Sequence, residues 1–225
     1  MPATPVTPVT ARIATVTEIY RGDTTRYQLF YNPDGTLDSL DEAQQDGYRQ
    51  TSKLTYRQGY ILFRNDLYDR RSSLFFYTLD SIRQNDKGLP DTVFESRNGL
   101  LSGYETFHYN PAGEIEEIRY HKTSGEQTGR TRFWWQNGNI ARSEELGLII
   151  NYLYDSSRAS QPGEPLLWHT RKNNGTPYFK NKNLATGFAL SGIQTTYQYT
   201  WQNGLIQTAT YTESDNNYYY EYTYY

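Results

Sequence analysis

Apolar and polar side chains alternate along most of the chain with the period of two that is typical of β-strands. Tyr27, Leu29 and Tyr31 share one predicted strand face, while Arg26 and Gln28 share the other. Neither a long apolar stripe of helical period nor a pair of βαβ units interrupts this alternation. The pattern therefore predicts an all-β protein.

Tight-turn sequences separate the predicted strands at regular intervals. Asparagine followed by proline and then glycine favours a type I turn closed by a left-handed glycine, and Asn-Gly pairs favour two-residue hairpins. The turn glycines recur at spacings of 24, 29, 25 and 25 residues between Gly35 and Gly138, close to the length of one hairpin and its return connection. The predicted turn residues are Asn32, Gly35, Gly59, Gly88, Asn110, Gly113, Asn137, Gly138, Asn203 and Gly204.

These turns predict an antiparallel up-and-down meander of roughly 12–15 short strands. A meander of that size must curl strongly or close into a barrel, because a long open sheet leaves edges exposed. Residues 1–10 are a Pro/Thr-rich spacer of the kind that tethers a surface domain, and residues 11–225 form a single β-repeat domain. The polar stretch Asp41–Arg49 is expected to be a loop.

Residues 155–192 depart from the repeat and are expected to form an irregular excursion. They contain Pro162, Pro165 and Pro177 and show almost no strand alternation. Within them, 165–171 is expected to form a short strand and 182–189 about one helical turn. A connection this long in a compact domain is usually functional or mobile, which favours it as a place to look for a binding site.

Composition excludes several classes of function. The net charge of −3 gives no basic surface for nucleic acid or for anionic membrane. The chain has no cysteine, which excludes disulfides and thiolate metal sites, and no apolar run long enough for a transmembrane helix. The 23 tyrosines and 4 tryptophans indicate a core that depends on aromatic side chains.

Three aromatic residues, Trp134, Trp168 and Tyr178, are the candidate ligand-binding residues. Exposed aromatic rings can serve as stacking platforms for glycans, and Trp168 and Tyr178 fall in the excursion, where packing demands explain them less well. The alternative interpretation is that these rings form cross-strand pairs that hold a leucine-poor sheet together.

No catalytic, metal or cofactor site is predicted. His108, His121 and His169 are the only histidines, and they lack the spacing of a His-Glu-x-x-His metal motif. No Gly-x-Ser-x-Gly nucleophile motif is present. The adjacent carboxylates of Glu116-Glu117 would point to opposite faces of a strand and could not act together across one sugar.

Two repeat families share this arrangement of an aromatic residue, a turn glycine and an aliphatic residue. Tyr31–Leu40 and Tyr109–Ile118 resemble the YD (Rhs-type) β-repeat. Phe133–Ile140 and Thr200–Ile206 resemble the second class of MORN repeats.

Over nearly all of the chain after residue 11, the sequence is similar to secreted lipoproteins of unknown function from Bacteroidetes, a domain family described as having a porin-like fold. The matching parts include Tyr152–Ile193 and Tyr197–Tyr225. The resemblance implies export to the periplasm or the outer-membrane surface and a membrane link only through an N-terminal lipid anchor that has been removed. The lipidation cysteine is missing from this sequence, and the family has no established activity from which a catalytic residue could be carried over.

We therefore expect a non-enzymatic, exported binding or structural module without a cofactor, whose partner is a glycan or another surface protein. One alternative is an integral outer-membrane β-barrel, since Tyr220, Tyr222 and Tyr224 alternate near a terminal aromatic residue. A second alternative is a glycan-acting hydrolase, which requires two carboxylates roughly 5–10 Å apart beside an aromatic surface.

Overall fold

Antiparallel pairing of neighbouring strands builds the whole sheet in the computed structural model, which describes residues 11–174, 180–213 and 215–225. In these residues 17 strands form a nearly closed barrel, with helix α1 between β12 and β13. The elements are β1 (Ile13–Tyr20), β2 (Asp23–Tyr31), β3 (Leu37–Gln44), β4 (Arg49–Arg57), β5 (Tyr60–Tyr68), β6 (Leu74–Gln84), β7 (Pro90–Arg97), β8 (Leu100–Tyr109), β9 (Ile115–His121), β10 (Gln127–Gln136), β11 (Asn139–Glu145), β12 (Leu148–Ala159), α1 (Pro165–Asn174), β13 (Asn183–Leu190), β14 (Ile193–Thr196), β15 (Gln198–Gln202), β16 (Leu205–Glu213) and β17 (Asn216–Tyr224).

The order of strands around the barrel follows their order in the chain. β14 and β15 form one run interrupted at Tyr197, the first part pairing with β13 and the second with β16. β17 then pairs with β1, with Ile13 opposite Tyr224, and this contact brings the first and last strands together. The predicted all-β meander, curled into a barrel, is confirmed.

The strand count exceeds the predicted 12–15 partly because the segment expected to contain a helical turn forms strand β13. The expected loop at 41–49 is not a loop throughout, because β3 continues to Gln44 and β4 begins at Arg49. Outward-facing residues of this stretch, such as Asp41, are polar because that face of the barrel wall meets water, so polarity alone did not mark a loop. The interruption at Tyr197 also divides one long run into two strands.

The turns recognised in the sequence all lie at one end of the barrel, which we call the lower rim. Gly35 and Gly113 have φ of 89° and 83°, and their N–H groups donate to the carbonyls of Asn32 and Asn110 at 2.9 Å. The two-residue turns place Asn137 and Asn203 at φ 53°. Only residues that tolerate positive φ close such turns at little cost, which explains this sequence signature.

The opposite end of the barrel, the upper rim, carries the alternate set of turns. They include the two-residue tips at 21–22, 98–99, 146–147 and 191–192. Longer turns span 45–48, 69–73 and 122–126, the last of them between β9 and β10. Inward-facing and outward-facing residues alternate on every strand between the two rims, so each strand contributes to an inner wall and an outer wall.

Helix α1 lies inside the barrel, contrary to the expected short strand at 165–171. Pro165 occupies the first helical turn, where proline lacks only an N–H that would be unpaired, and the Trp168 N–H donates to the Glu164 carbonyl at 2.9 Å. The segment expected to contain a helical turn, 182–189, is instead mostly β13. The excursion is therefore more regular than its proline content indicated.

The helix joins two clusters of buried apolar side chains on the inner wall. Trp168 belongs to the larger cluster, and its ring packs edge-on against Tyr27 at 5.0 Å between centroids. Leu166 and Leu167 pack against the smaller cluster, which is built around Ile115 and Ile118. Because α1 contacts both clusters, it fills the part of the barrel interior that the strands alone leave open.

A buried glutamate, Glu164, attaches the start of α1 to the barrel wall. Its carboxylate accepts hydrogen bonds from the backbone N–H groups of Gln161 and Ala185, the latter at 3.0 Å. Burial raises the pKa of Glu164 to about 7, although hydrogen bonds from Ala185, Gln161 and Ser160 act in the opposite direction. Loss of these bonds would leave two buried N–H groups without an acceptor.

Candidate functional site

A groove on the outer wall across β8, β9 and β10 has the composition of a ligand site. It has a volume of about 620 Å³. Three of its residues, His108, Glu117 and Arg132, lie opposite one another on adjacent strands, so the register of the sheet alone brings them together. The groove is lined by His108, Tyr109, Glu116, Glu117, Arg119, Arg132, Phe133 and Trp134.

Glu117 is the centre of an ion-pair network in this groove. It bonds to Arg119 and to Nε of Arg132 at 3.2 Å, and Nη1 of Arg130 lies 3.8 Å from its carboxylate. Burial by itself would raise the pKa of Glu117, but the hydrogen bonds from Arg119 and Arg132 and the charges of Arg119 and Arg130 outweigh burial and lower it. The carboxylate therefore stays ionised and holds three guanidinium groups in fixed positions.

Trp134 forms the aromatic side of the groove. Its side chain is 39% exposed, and the guanidinium of Arg142 lies 4.5 Å from its ring centroid. Arg142 is in turn held by Glu144, with an Nη2 to Oε2 distance of 2.7 Å. An indole braced on one side by a cation and partly open to solvent offers a rigid apolar surface for another flat group.

The three candidate residues from the sequence have different locations. Trp134 lines the groove. Trp168 has no exposed surface and is a core residue of the interior, so in this conformation its ring is not available to a ligand on the surface. Tyr178 lies outside the residues that the structure describes. Trp168 is buried because α1 packs inside the barrel, and no local sequence pattern indicated that burial.

Arg132, Glu117 and His108 were not recognised as site residues from the sequence. Strand alternation in 114–121 and 131–135 could have placed Glu117 and Arg132 on outward faces. Their juxtaposition also requires the register between β9 and β10, which includes a shift between Gln127 and Gly129. Short-range sequence signals do not determine such a shift.

A second polar region faces the interior on strands β6, β7 and β8. Asp80 on β6 lies directly opposite Glu95 on β7. Glu105 on β8 lies opposite Val93, which is the next inward-facing residue of β7 toward the lower rim. The pKa of Asp80 is raised to about 7, mainly by burial and to a lesser extent by the charge of Glu95. The pKa of Glu105 is also raised to about 7, mainly by burial and to a lesser extent by the charges of Glu95, Asp80 and Glu145.

The three histidines lie in three different environments. His108 lies in the groove, His121 stacks on Tyr104 at 4.5 Å between ring centroids, and Nε2 of His169 lies 3.1 Å from the Tyr220 hydroxyl. Over 11–174, 180–213 and 215–225, no three His, Cys, Asp or Glu side chains are grouped closely enough to hold a metal ion. Within the same residues, α1 is too short and too polar to qualify as a transmembrane helix.

Comparison with solved structures relates the chain to porin-like barrels. A porin-like protein from Bacteroides uniformis superposes with a TM-score of 0.67 over 95% of this chain and 96% of that one, at 15% sequence identity. The likeness is one of fold. A porin-like protein from Bacteroides vulgatus covers 95% of this chain and 98% of that one, with a TM-score of 0.46 and 10% identity. No protein-family model and no curated protein sequence matches the chain.

Proposed function

We propose that the protein is a non-enzymatic, exported module of the bacterial cell envelope that binds a glycan in the outer-wall groove. The observation that carries the proposal is the partly exposed ring of Trp134, braced by Arg142 beside the fixed guanidinium groups around Glu117. Sugar rings present C–H groups on their faces, which pack on indole, and hydroxyls at their edges, which bond to arginine and carboxylate groups. The groove supplies both kinds of partner.

Two observations support the envelope location. The structure has the barrel fold of a porin-like protein from Bacteroides uniformis. The Pro/Thr-rich sequence of residues 1–10, together with the resemblance to secreted Bacteroidetes lipoproteins, is consistent with a tether to a lipid anchor. Fractionation of the native host, with globomycin-sensitive processing as the readout for lipidation, tests this location independently of ligand binding.

A glycan array followed by titration of any hit tests the binding function. We expect Trp134→Ala to weaken binding by about tenfold or more, because a stacked aromatic ring contributes about 1–2 kcal/mol to such contacts. Tyr60→Ala is the matched control, since Tyr60 is 37% exposed but lies at the lower rim outside the groove. Equal binding by both variants would exclude the groove, and binding only to a protein in pull-downs would replace the glycan with a protein partner.

The integral outer-membrane barrel is the second candidate, and the porin-like fold is the observation that favours it. Such barrels present a continuous apolar band roughly 25 Å tall to the lipid. Here Arg26, Gln28 and Asp41 form part of the outer wall, as do the ion pairs Lys53–Asp38 and Arg64–Asp66. We expect the protein to purify as a monodisperse species without detergent, and a requirement for detergent would favour the membrane-embedded alternative.

The glycan-acting hydrolase remains the third candidate because of the inner-wall carboxylates. Asp80 and Glu95 are directly opposite in an antiparallel pair, so their carboxylates project from neighbouring positions of the same inner-wall face, as a glycosidase acid–base pair requires. Phe63 lies opposite Asp80 on β5. Turnover of a polysaccharide panel that is abolished by Glu95→Gln, with folding unchanged, would establish this alternative, and no turnover by the wild-type protein would remove it.

A further inference from the structure

The upper rim differs from the lower rim in the side chains at its tips. Lower-rim turns present asparagine, aspartate, lysine, glutamine and proline, as in 32–34 and 85–87. Most of the exposed large apolar side chains of the described residues instead stand beside upper-rim turns. They are Tyr48, Leu74, Phe75, Leu100, Leu101, Leu146, Leu148, Ile149 and Ile193. An exposed apolar group of this size at one end of a barrel is typical of an interaction surface.

Two upper-rim tips share one layout but carry opposite charges. The β7–β8 tip reads Arg97-Asn98-Gly99-Leu100-Leu101, and the β11–β12 tip reads Glu145-Leu146-Gly147-Leu148-Ile149. Each has a two-residue turn, a charged residue immediately before it and two aliphatic residues immediately after it. Leu100 is 76% exposed and Leu146 is 83% exposed. The two tips are therefore chemically complementary to each other.

Leu146 destabilises the folded monomer in two ways. Its φ is 49°, in the left-handed region, at the turn position that asparagine occupies in 98–99, 137–138 and 203–204. A leucine there strains the backbone, while asparagine tolerates it. The side chain also stands in water. Both the strained backbone and the exposed side chain of Leu146 are explained if an apolar surface of a partner covers this leucine.

The order of tips around the rim permits this complementarity to be used between two copies. The polar tip at 122–126, between β9 and β10, separates the two related tips, one on each side. A two-fold axis through this central tip exchanges its neighbours, so Arg97 of one copy faces Glu145 of the other, and Leu100 and Leu101 face Leu146 and Leu148. Lys122 and Glu126 pair with each other at 2.8 Å within each copy, so the tip on the axis is polar and carries no net charge from this pair.

We propose that the upper rim, centred on these two tips, is the contact surface of a mouth-to-mouth homodimer. The partner is a second copy of this chain, because the pattern of apolar tips and alternating charge is self-complementary under one two-fold rotation. Leu74 and Phe75, next to the first tip, face Ile193, next to the second, across the same axis. In this dimer the lower rims, with the start of β1 and the end of β17, point away from the contact.

Sedimentation equilibrium of the full chain tests the proposal. We expect a reversible monomer–dimer equilibrium, and we expect Leu146→Asn to weaken association by about tenfold or more, because the apolar side chain that the contact buries is lost. Asparagine also removes the backbone strain, so this variant should not unfold at lower urea concentration than wild type. Tyr60→Asn at the lower rim is the control and should dimerise normally.

A charge exchange distinguishes this dimer from general stickiness. Arg97→Glu and Glu145→Arg should each weaken the dimer, because each places like charges across the axis, whereas the double variant should recover wild-type association. A monomer at every accessible concentration, or a double variant as weak as the single ones, would overturn the proposal. Binding of the monomer to zwitterionic vesicles through Leu146 would do so as well, because it would assign the rim to a lipid surface.

Discussion

Glu105 and Glu117 lie on adjacent strands of the same barrel wall and show opposite chemistry. Glu105 faces the interior, where burial and three other carboxylates raise its pKa to about 7. Glu117 faces outward, where its pKa is lowered because three arginines outweigh the effect of burial. Alternation along the strands thus produces an acidic inner wall and a guanidinium-rich outer groove only one sheet thickness apart. The side on which a charged residue lies determines whether it stabilises or opposes folding.

The largest difference between inside and outside is expected between Trp168 in the core and Trp134 in the outer-wall groove. Trp168→Ala should destabilise the protein by about 3–5 kcal/mol, because it leaves a cavity where α1 meets the inner wall. Trp134→Ala should cost about 1 kcal/mol or less, because much of its ring is already solvated. Urea unfolding followed by circular dichroism measures both, and similar costs would contradict the assignment of Trp168 to the core.

The next largest effect is a loss of stability as pH rises. The folded-state pKa values of Asp80, Glu105 and Glu164, each about 7, lie above their unfolded values, so the folded state binds more protons between about pH 4 and pH 7. Their contribution is complete below the unfolded pKa values and is lost as pH rises through about 7. We expect each of these three groups to lower the free energy of unfolding by about 2–3 kcal/mol between pH 5 and pH 8.

The combined variant Asp80→Asn/Glu105→Gln is the control for this pH dependence. It should flatten most of the slope between pH 5 and pH 8 and leave only the part that belongs to Glu164. Below about pH 4.5 the lowered pKa of Glu117 acts in the opposite sense, since its stabilising ionisation is lost as pH falls. A stability that rises steadily from pH 5 to pH 8 would contradict the arrangement of the inner wall.

Neutralising one glutamate on each side should change stability in opposite directions. Glu105→Gln should stabilise the protein by about 1–2 kcal/mol at pH 8, because it removes a buried charge beside other carboxylates. Glu117→Gln should destabilise it by about 1 kcal/mol, because three arginines lose their shared partner while remaining partly solvated. The measurement is chemical denaturation of both variants in one buffer. A change in the free energy of unfolding of the same sign for both variants would contradict the contrast between the inner and outer walls.

The smallest effect is expected for a simple ion pair on the outer wall. Lys53→Ala removes the pair with Asp38, whose two partners are both considerably exposed. Such pairs contribute about 0.2–1 kcal/mol, so we expect a loss of about 0.5 kcal/mol or less. A loss as large as that of Glu117→Gln would show that the outer groove has no special electrostatic role.

The sequence predicted the parts of the fold that depend on neighbouring residues. Gly35, Gly113 and the Asn137-Gly138 pair carry turn chemistry that only a tight reversal uses, and they lie at such reversals. Helix α1 was not predicted because its burial comes from barrel walls far away in the chain. Pro165, taken as a sign of irregularity, is in fact compatible with the first turn of a helix.

The candidate site was only partly accessible from the sequence for the same physical reason. The sequence names Trp134 as one candidate aromatic residue, but it favours Trp168 and Tyr178 because they fall in the excursion. The partners that give Trp134 chemical meaning, Glu117 and Arg132, come from different strands and depend on a register that includes a shift near Gly129. Trp168 is buried whereas Trp134 is partly exposed, and this difference becomes evident only from the position of α1 inside the barrel.

The pairing of β1 with β17 has a consequence for how the polypeptide acquires its shape. Ile13 meets Tyr224 across a separation of nearly the whole sequence, so the seam cannot form until the final strand has left the ribosome. Until then β1 and the most recently made strand both expose unpaired backbone, which invites association with other chains. Any factor that holds the chain unfolded until β17 has been made would therefore protect β1 from such association.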